Sequence, residues 1–476
     1  MIGKKGGIHM AIVVDTELLE GLQEAVKKAN DTNTAVLFSK VVKMQALSPL
    51  SFYAIGREQY LGERFFWQEP SSCSSIVGLG KVEKIQTEPS GNRFEEISYK
   101  WKEIIENSII QVENGKTPAT GPILFGGFSF DYEKSQSLLW DHFGDNFLYI
   151  PQYMMTLLNN QAFYTTNLLC LPGGNMKRLI EVYEHGEQLR RMVEKRAVLF
   201  TNDLISKDEI EPDQWKETVA KAVDTIKESD IDKIVLAREL KLAFKHNIHA
   251  EAVLERLLKE QSSSFIFSLE SGDDCFIGAS PERLVKKEGS EVLSTCLAGS
   301  IARGKTESED KLLGQQLLHD PKNLMEHQFV VNMIRKTIES ECTDVVVPSS
   351  PILMKIKHIQ HLYTPVRARC EGETSILDLV KKLHPTPALG GVPQTTAVSW
   401  IRENEVLERG LYGGPLGWLD SNGNGEFVVA LRSALIKGNK ASLFAGCGIV
   451  EDSNPEEEYK ETWIKFKPML NALGGV

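Results

Sequence analysis

The stretch GWLDSNGNGEFVVALRSALI (417–436), followed at once by KGNK (437–440), decides how this chain folds. Ser421-Asn422-Gly423-Asn424-Gly425 gathers residues that tolerate positive φ between two apolar runs, the signature of a hairpin turn. The Gly-Asn pair of KGNK makes a second tight turn before FAGCGIV (444–450). Strands joined by turns this short must run antiparallel, because a parallel pair needs a crossover of a dozen or more residues. Residues 411–450 are therefore expected to form a β-meander.

The pattern continues in both directions. Apolar runs broken by Gly, Pro and Ser, such as TAVLFSKVV (34–42) and GPILFGGFSF (121–130), suggest strands across 35–165, with a helix near 94–114. KIVLARELKLAF (233–244) and SSFIFSLES (263–271) read as further strands. Helical spacing marks 16–31, 176–200, 213–229 and 452–470, where Pro455 and three acids suit a helix start. Two more helices are expected to divide at Asp320-Pro321, because proline stops the first and can open the second. Strands and helices mix without strict βαβ alternation, so the expected class is α+β with mainly antiparallel sheets packed together and helices outside. The polar segment 201–213 is the candidate internal boundary. It divides a 10–204 N-terminal part from a 205–474 catalytic region, with residues 1–9 as a disordered extension.

A formal charge of −11 over 476 residues argues against a general nucleic-acid binder while leaving room for a local cationic pocket. No apolar run suits a signal peptide or a membrane span, so a cytoplasmic protein is expected. The seven cysteines are scattered and odd in number, which fits free thiols.

Several residues could carry chemistry. In LMEHQFVV (324–331), Glu326 shares a helical face with Phe329, Val330 and Met333, so it reads as an acid that cannot be solvated. Glu458, Glu461 and Lys465 share a face of the last helix, which by itself could be a solvated acidic helix start. Carboxylates converging from separate helices would repel one another without a cation between them. All-oxygen ligands then point to a hard ion, Mg²⁺ before Ca²⁺. His358 and His361 have a spacing seen at zinc sites, but no cysteine pair or HExxH completes one. Lys233 either snorkels to solvent or enters a pocket as a general base, and Glu282 is either an exposed turn acid or a desolvated general acid. Arg432, flanked by apolar residues, either ends in a surface salt bridge or grips an anion. Gly-rich stretches at 297–300, 388–393, 411–417 and 445–450 lack nucleotide-binding spacing, yet their backbone N–H groups could receive a carboxylate.

Ten segments in order, DKIVLAR, ASPERL, LAGS, MEH, HL, HPTPALGGVP, LYGGPLGW, VALRSA, FAGCGIV and YKETWIKF, make residues 210–474 resemble the chorismate-utilising enzymes, and within them the isochorismate synthases. The resemblance implies a single large fold to which the N-terminal part adds strands. It also implies Mg²⁺ held by Glu326 and Glu461 with Glu458 adjacent, Lys233 as the base that activates water, and Glu282 as the acid for the departing C4 hydroxyl. Tyr412, Arg432, Gly446 and Lys465 would hold the enolpyruvyl carboxylate, Gly299 and Ser300 would lie beside the ring carboxylate, and His361 near the leaving hydroxyl.

Relatives that add ammonia typically lack a lysine where this chain has Lys233, and relatives that go on to release pyruvate commonly carry threonine where it has Ala388. The resemblance therefore implies an isomerase that stops at isochorismate, of the menaquinone type before the siderophore type. The alternatives are a salicylate synthase of the same family and a non-catalytic chorismate-binding protein. The isomerase would work as a monomer with no obligatory glutamine amidotransferase subunit, no nucleic acid and no membrane.

Overall fold

The computed structural model describes residues 16–70, 74–113, 117–134, 138–192, 203–357, 359–372 and 374–475. The expected extension at 1–9 and the zinc-type partner His358 lie outside the described residues, as does the end of the helix expected over 176–200. Its described part is the helix Met176–Arg191.

The meander forms as read. Strands Pro415–Asp420, Gly425–Val429, Ser433–Lys437 and Lys440–Ile449 follow one another. The first two pair with each other, as do the last two, while Ser433–Lys437 also joins Asp274–Ser280. Asp420 closes the first turn by accepting the N–H groups of Asn422 and Asn424. Every strand pairing but one is antiparallel, and the described strands belong to one continuous hydrogen-bonded network. The exception is Val36–Met44, which runs parallel to Ile109–Val112. That short strand corrects the helix expected over 94–114. The helix spans Arg93–Glu106 and stops at Asn107, after which the β-branched pair Ile109-Ile110 joins the sheet edge.

Alternation along each strand sorts side chains between two environments. Phe65, Trp67, Phe125, Phe265, Phe267, Trp418, Leu435 and Phe444 enter one cluster made almost wholly of strand residues. Their neighbours Phe66, Ile266, Ala434, Ile436, Leu443 and Ala445 enter another, capped by the helices Ala250–Glu260 and Pro455–Leu473. A third cluster lies under the helices Arg93–Glu106, Pro212–Glu228, Pro321–Glu339 and Ile376–Leu383. Sheets thus pack on sheets, with helices outside.

Residues 204–209 of the polar segment form a strand on the edge of Lys233–Phe244. Strands on either side of that segment pair directly, as Arg64–Gln68 does with Phe265–Ser271. At this seam Arg64 is fully buried, donating to Glu270 at 2.7 and 2.9 Å and to Glu251 at 2.7 Å, with its guanidinium over the Tyr53 ring.

Two expectations are corrected. The helix Pro321–Glu339, opened by Asp320 accepting from Asn323 N–H at 2.7 Å, buries His327, Val330, Val331, Ile334 and Ile338. Phe329 is 44% exposed, so Glu326 lies at the border of the buried stripe and not on it. Apolar spacing at three, four and seven fits two adjacent faces, and the buried one is centred on His327, Val331 and Ile334, with Val330 shared between them. Nor are all the cysteines free. Cys342 and Cys370, 28 residues apart, are joined in a disulfide that links the segment after this helix to the end of the strand Ile359–Arg369, while Cys170, Cys275, Cys296 and Cys447 are buried thiols.

Replacing Arg64 by methionine removes the ion-pair partner of buried Glu270 and leaves Glu251 only its 3.9 Å pair with Arg57, the costly way to break an ion network. Denaturant unfolding at pH 7 is expected to show a loss of roughly 3–5 kcal/mol. A loss below about 1 kcal/mol, the level of a surface ion pair, would refute this view of the seam.

Candidate active site

One cavity gathers Lys233, Glu282, Gly299, Ser300, Glu326, His361, Ala388, Tyr412, Arg432, Gly446 and Lys465, with about 790 Å³ of open space including its mouth. That size suits a small molecule. Of the expected residues, only Glu458 and Glu461 do not line its wall.

The floor is the strand Lys233–Phe244, where alternation puts Lys233, Val235 and Ala237 on one face. Its neighbour Lys440–Ile449 sets Gly446 opposite Ala237 and Gly448 opposite Val235. A Cβ on Gly448 would lie 2.5 Å from Lys233 Cε, so that glycine makes the room the lysine occupies. Along a second wall, Ser300 pairs with His361, and the register shifts between Leu297 and Ser300. This bulge holds Gly299 at φ +80°, a left-handed conformation that glycine adopts without strain. Asn323 Oδ1 accepts Ser300 N–H at 3.2 Å and pins the bulge to the start of the Glu326 helix. His327 reinforces the joint, its ring contacting Ala298 O at 2.9 Å and Thr364 Oγ1 at 2.8 Å.

The charges are arranged in pairs, with two exceptions. Lys233 Nζ lies 2.5 Å from Glu326 Oε1, and Lys465 Nζ lies 2.6 Å from Glu461 Oε1 while donating to Gly446 O at 2.8 Å. Burial pushes the Glu326 carboxyl up, but Lys233 and Lys465 outweigh it and hold it below the ordinary value. Lys465 holds Glu461 down in the same way. The first exception is Arg432. Among the described residues no carboxylate lies within ion-pair distance of its guanidinium, and its backbone sits at φ +48°. A cation in a cavity wall without an acid, on a backbone that costs of order 1–3 kcal/mol to hold, is suited to an anionic ligand.

The second exception is Glu282. It is 4% exposed, and burial pushes its carboxyl up to about 8 despite the cationic Lys233, Arg432 and Lys465. It is therefore a protonated acid at neutral pH. His361 is the converse: burial, with Arg432 and Lys465, pushes it down to about 3, so its ring is neutral. One ring nitrogen contacts Ser300 Oγ at 2.7 Å, while Nε2 is buried with no protein partner.

The donor set fits a hard cation. Glu326 and Glu461 each already hold an ammonium group, Glu326 acts electrostatically on Glu461, and Glu461 on Glu458. Burial raises the Glu458 carboxyl, which accepts Ser453 Oγ at 2.7 Å. The three are not closed into a cage. Among the described residues the only three ligand-type groups with all ligand atoms within 4.8 Å are Asp141, His142 and Asp274. The ammonium of Lys437 already sits on both of those acids.

A family model described as chorismate binding enzyme matches residues 24–474. The chain belongs to the chorismate-binding enzymes. It is 44% identical over 474 residues to the isochorismate synthase MenF of Bacillus subtilis, covering 98% of this chain and 99% of that protein. The salicylate biosynthesis isochorismate synthase of Pseudomonas aeruginosa is 33% identical over 463 residues, covering 95% and 94%. The solved structure of MenF, the menaquinone-specific isochorismate synthase of Escherichia coli, shares the fold with a TM-score of 0.76 at 23% identity, covering 96% of this chain and all of that one.

Asn323, Leu431, Phe444, Gly448, Glu405 and Arg409 were missed by sequence reading, though all touch the cavity or brace it. The last two had a signal: in ENEVLERG (403–410) an acid and an arginine stand four apart just before the Gly-rich LYGGPLG. Such pairs are usually solvated, and this one is buried.

The Glu282 shift has a sign that can be tested. Its folded value near 8 lies above the ordinary 4.5, so the stability it contributes is complete below about pH 4.5 and lost as pH rises through about 8. Glutamine carries no such dependence. Glu282→Gln is expected to unfold like the parent at pH 4 and to be more stable by roughly 3–5 kcal/mol at pH 8. Equal stability of the two proteins at both pH values would show that the carboxyl is not held neutral.

Proposed function

We propose that this chain is an isochorismate synthase that adds water at C2 of chorismate as the C4 hydroxyl departs. The observation that carries this reading is one cavity holding a buried neutral acid, a lysine, and an arginine with no carboxylate within ion-pair distance among the described residues. The identity of 44% over nearly the whole length of an isochorismate synthase supports it independently.

Chorismate is a dianion, and a net-acidic protein must concentrate positive charge to hold it. Arg432 and Lys465, with the Tyr412 hydroxyl and the backbone at Gly446, receive the enolpyruvyl carboxylate. Gly299 and Ser300 of the bulge lie beside the ring carboxylate. Glu326 and Glu461, with Glu458 beside them, would hold a Mg²⁺ ion, which when bound would supply Lewis-acid charge to that carboxylate. Lys233, once its ammonium has given up a proton to solvent, takes one from water as the water oxygen bonds to C2. The ring double bonds shift, the C4–O bond breaks, and Glu282 delivers its proton so that water leaves. His361, neutral and with Nε2 unpartnered, is placed to hydrogen-bond the departing hydroxyl. Water formed equals water consumed, as an isomerisation requires.

Lys233 favours water over ammonia as the nucleophile, and the chain acts without an amidotransferase partner. At Ala388 the wall presents only a methyl group, which cannot hold the ring for pyruvate elimination. The product is released as isochorismate for menaquinone synthesis, the role of the structurally similar Escherichia coli enzyme. No helix among the described residues is long and apolar enough to cross a membrane.

Purified protein with chorismate and Mg²⁺ is expected to form isochorismate with no enzyme-generated pyruvate in a coupled assay. Stoichiometric pyruvate would move it to the salicylate synthases. Lys233→Ala is expected to lower kcat by about 10²–10⁴-fold with the melting temperature kept, and near-parental turnover would remove the lysine from the base role. Glu326→Gln is expected to weaken Mg²⁺ binding about tenfold or more by calorimetry. Unchanged affinity would remove Glu326 from the metal.

A further inference from the structure

Arg409 also lines the cavity, with its side chain 3% exposed against 7% for Lys233 and 17% for Lys465. Glu405 neutralises it, and its Nε, Nη1 and Nη2 all donate to groups of the protein. Nε donates to Glu405 Oε1 at 2.6 Å and Nη2 to Oε2 at 2.8 Å, a bidentate fork. The remaining donors reach main-chain oxygens. Nη2 donates to Val235 O at 2.7 Å and Nη1 to Leu389 O at 3.0 Å. Glu405 Oε2 in turn accepts Ala237 N–H at 2.7 Å, and Arg409 O accepts Tyr412 N–H at 2.9 Å. The guanidinium also stacks 4.1 Å from the centre of the Phe130 ring.

Each of these anchors adjoins a residue of the proposed reaction. Val235 is two along from Lys233 on the same strand face. Leu389 follows Ala388, the wall against the ring. Tyr412 faces the enolpyruvyl end. The first two segments are also joined by main-chain pairing, with Gly391 opposite Ile234 and Val235 N–H donating to Gly390 O at 3.2 Å, and Arg409 is the side chain that contacts all three.

We infer that Arg409, held by Glu405, is the positioning residue that sets the distance from the Lys233 amine to the substrate ring. The inference rests on the proposed isochorismate synthase reaction and deepens it. Arg409 touches no reacting atom. Its planar fork reaches two carbonyls and a carboxylate at once, which the single ammonium of lysine cannot do. An error of about 1 Å in where an attacking group is held can cost on the order of 10² in rate. Substrate affinity, set by Arg432, Lys465 and the backbone amides, would be little affected.

The test is Arg409→Lys in the full chain, assayed with chorismate and Mg²⁺ beside the parent protein. The expected result is a kcat loss on the order of 10²-fold, KM for chorismate within about threefold, and an unchanged circular-dichroism spectrum. A kcat within about threefold of the parent, or a loss carried by KM alone, overturns the inference. If Arg409→Lys does not fold, Glu405→Gln gives the same reading, since it keeps the shape and frees one arm of the fork. Failure of both variants to fold would make the pair a structural keystone and overturn the positioning role. Failure of the parent itself to convert chorismate would instead overturn the proposed reaction, so the two failures are told apart.

Discussion

A buried carboxyl that keeps its proton beside carboxylates that do not is the condition on which the site rests. Glu282 is neutral near pH 7, whereas Glu326 and Glu461, in or beside the same cavity, are ionised. Four cationic side chains line this one volume, and their distribution makes the difference. Lys233 and Lys465 are in contact with Glu326 and Glu461, and neither reaches Glu282 by ion pair or hydrogen bond. Desolvation therefore dominates at Glu282, and Coulomb attraction dominates at the other two. The result is an acid, a lysine and a pair of anionic ligand groups in one space, which is what moving a hydroxyl between two ring carbons demands.

Such an arrangement needs side chains that are far apart in sequence and close in space. Lys233 and Glu326 are 93 residues apart, and His361 and Ser300 are 61 apart. An antiparallel network suits this, because register fixes which residues stand opposite one another and a bulge can re-aim one turn without disturbing the rest. The bulge at 297–300 is such a place, and Asn323 and His327 lock it to the helix that carries Glu326. Helices then bring acids to the sheet from outside, so charged groups enter through element ends and faces while the strand cores remain apolar.

The same economy explains which local readings failed. Phe329 and Met333 share the spacing of a buried face with Glu326, yet the sheet takes the neighbouring face through His327, Val331 and Ile334. Periodicity gives the width of an apolar stripe but not its centre. Cys342 and Cys370 carried no pairing motif, and only the return of a strand beside the end of a helix brought them together. Glu405 and Arg409 looked like an ordinary surface pair, because nothing in eight residues says that three backbone segments will close over them.

Within the chain, the tight turns at 421–425 and 437–440 determined the antiparallel meander, Asp320-Pro321 the helix junction, and ten ordered motifs the family. These are local statements, fixed by backbone preference and by neighbours a few positions away. Tertiary structure alone decided the protonation of Glu282, the partners of Lys233 and Lys465, and the lack, among the described residues, of a carboxylate within ion-pair distance of Arg432. Charge states depend on lost water and on groups that approach through space, and neither is written at fixed intervals along a chain.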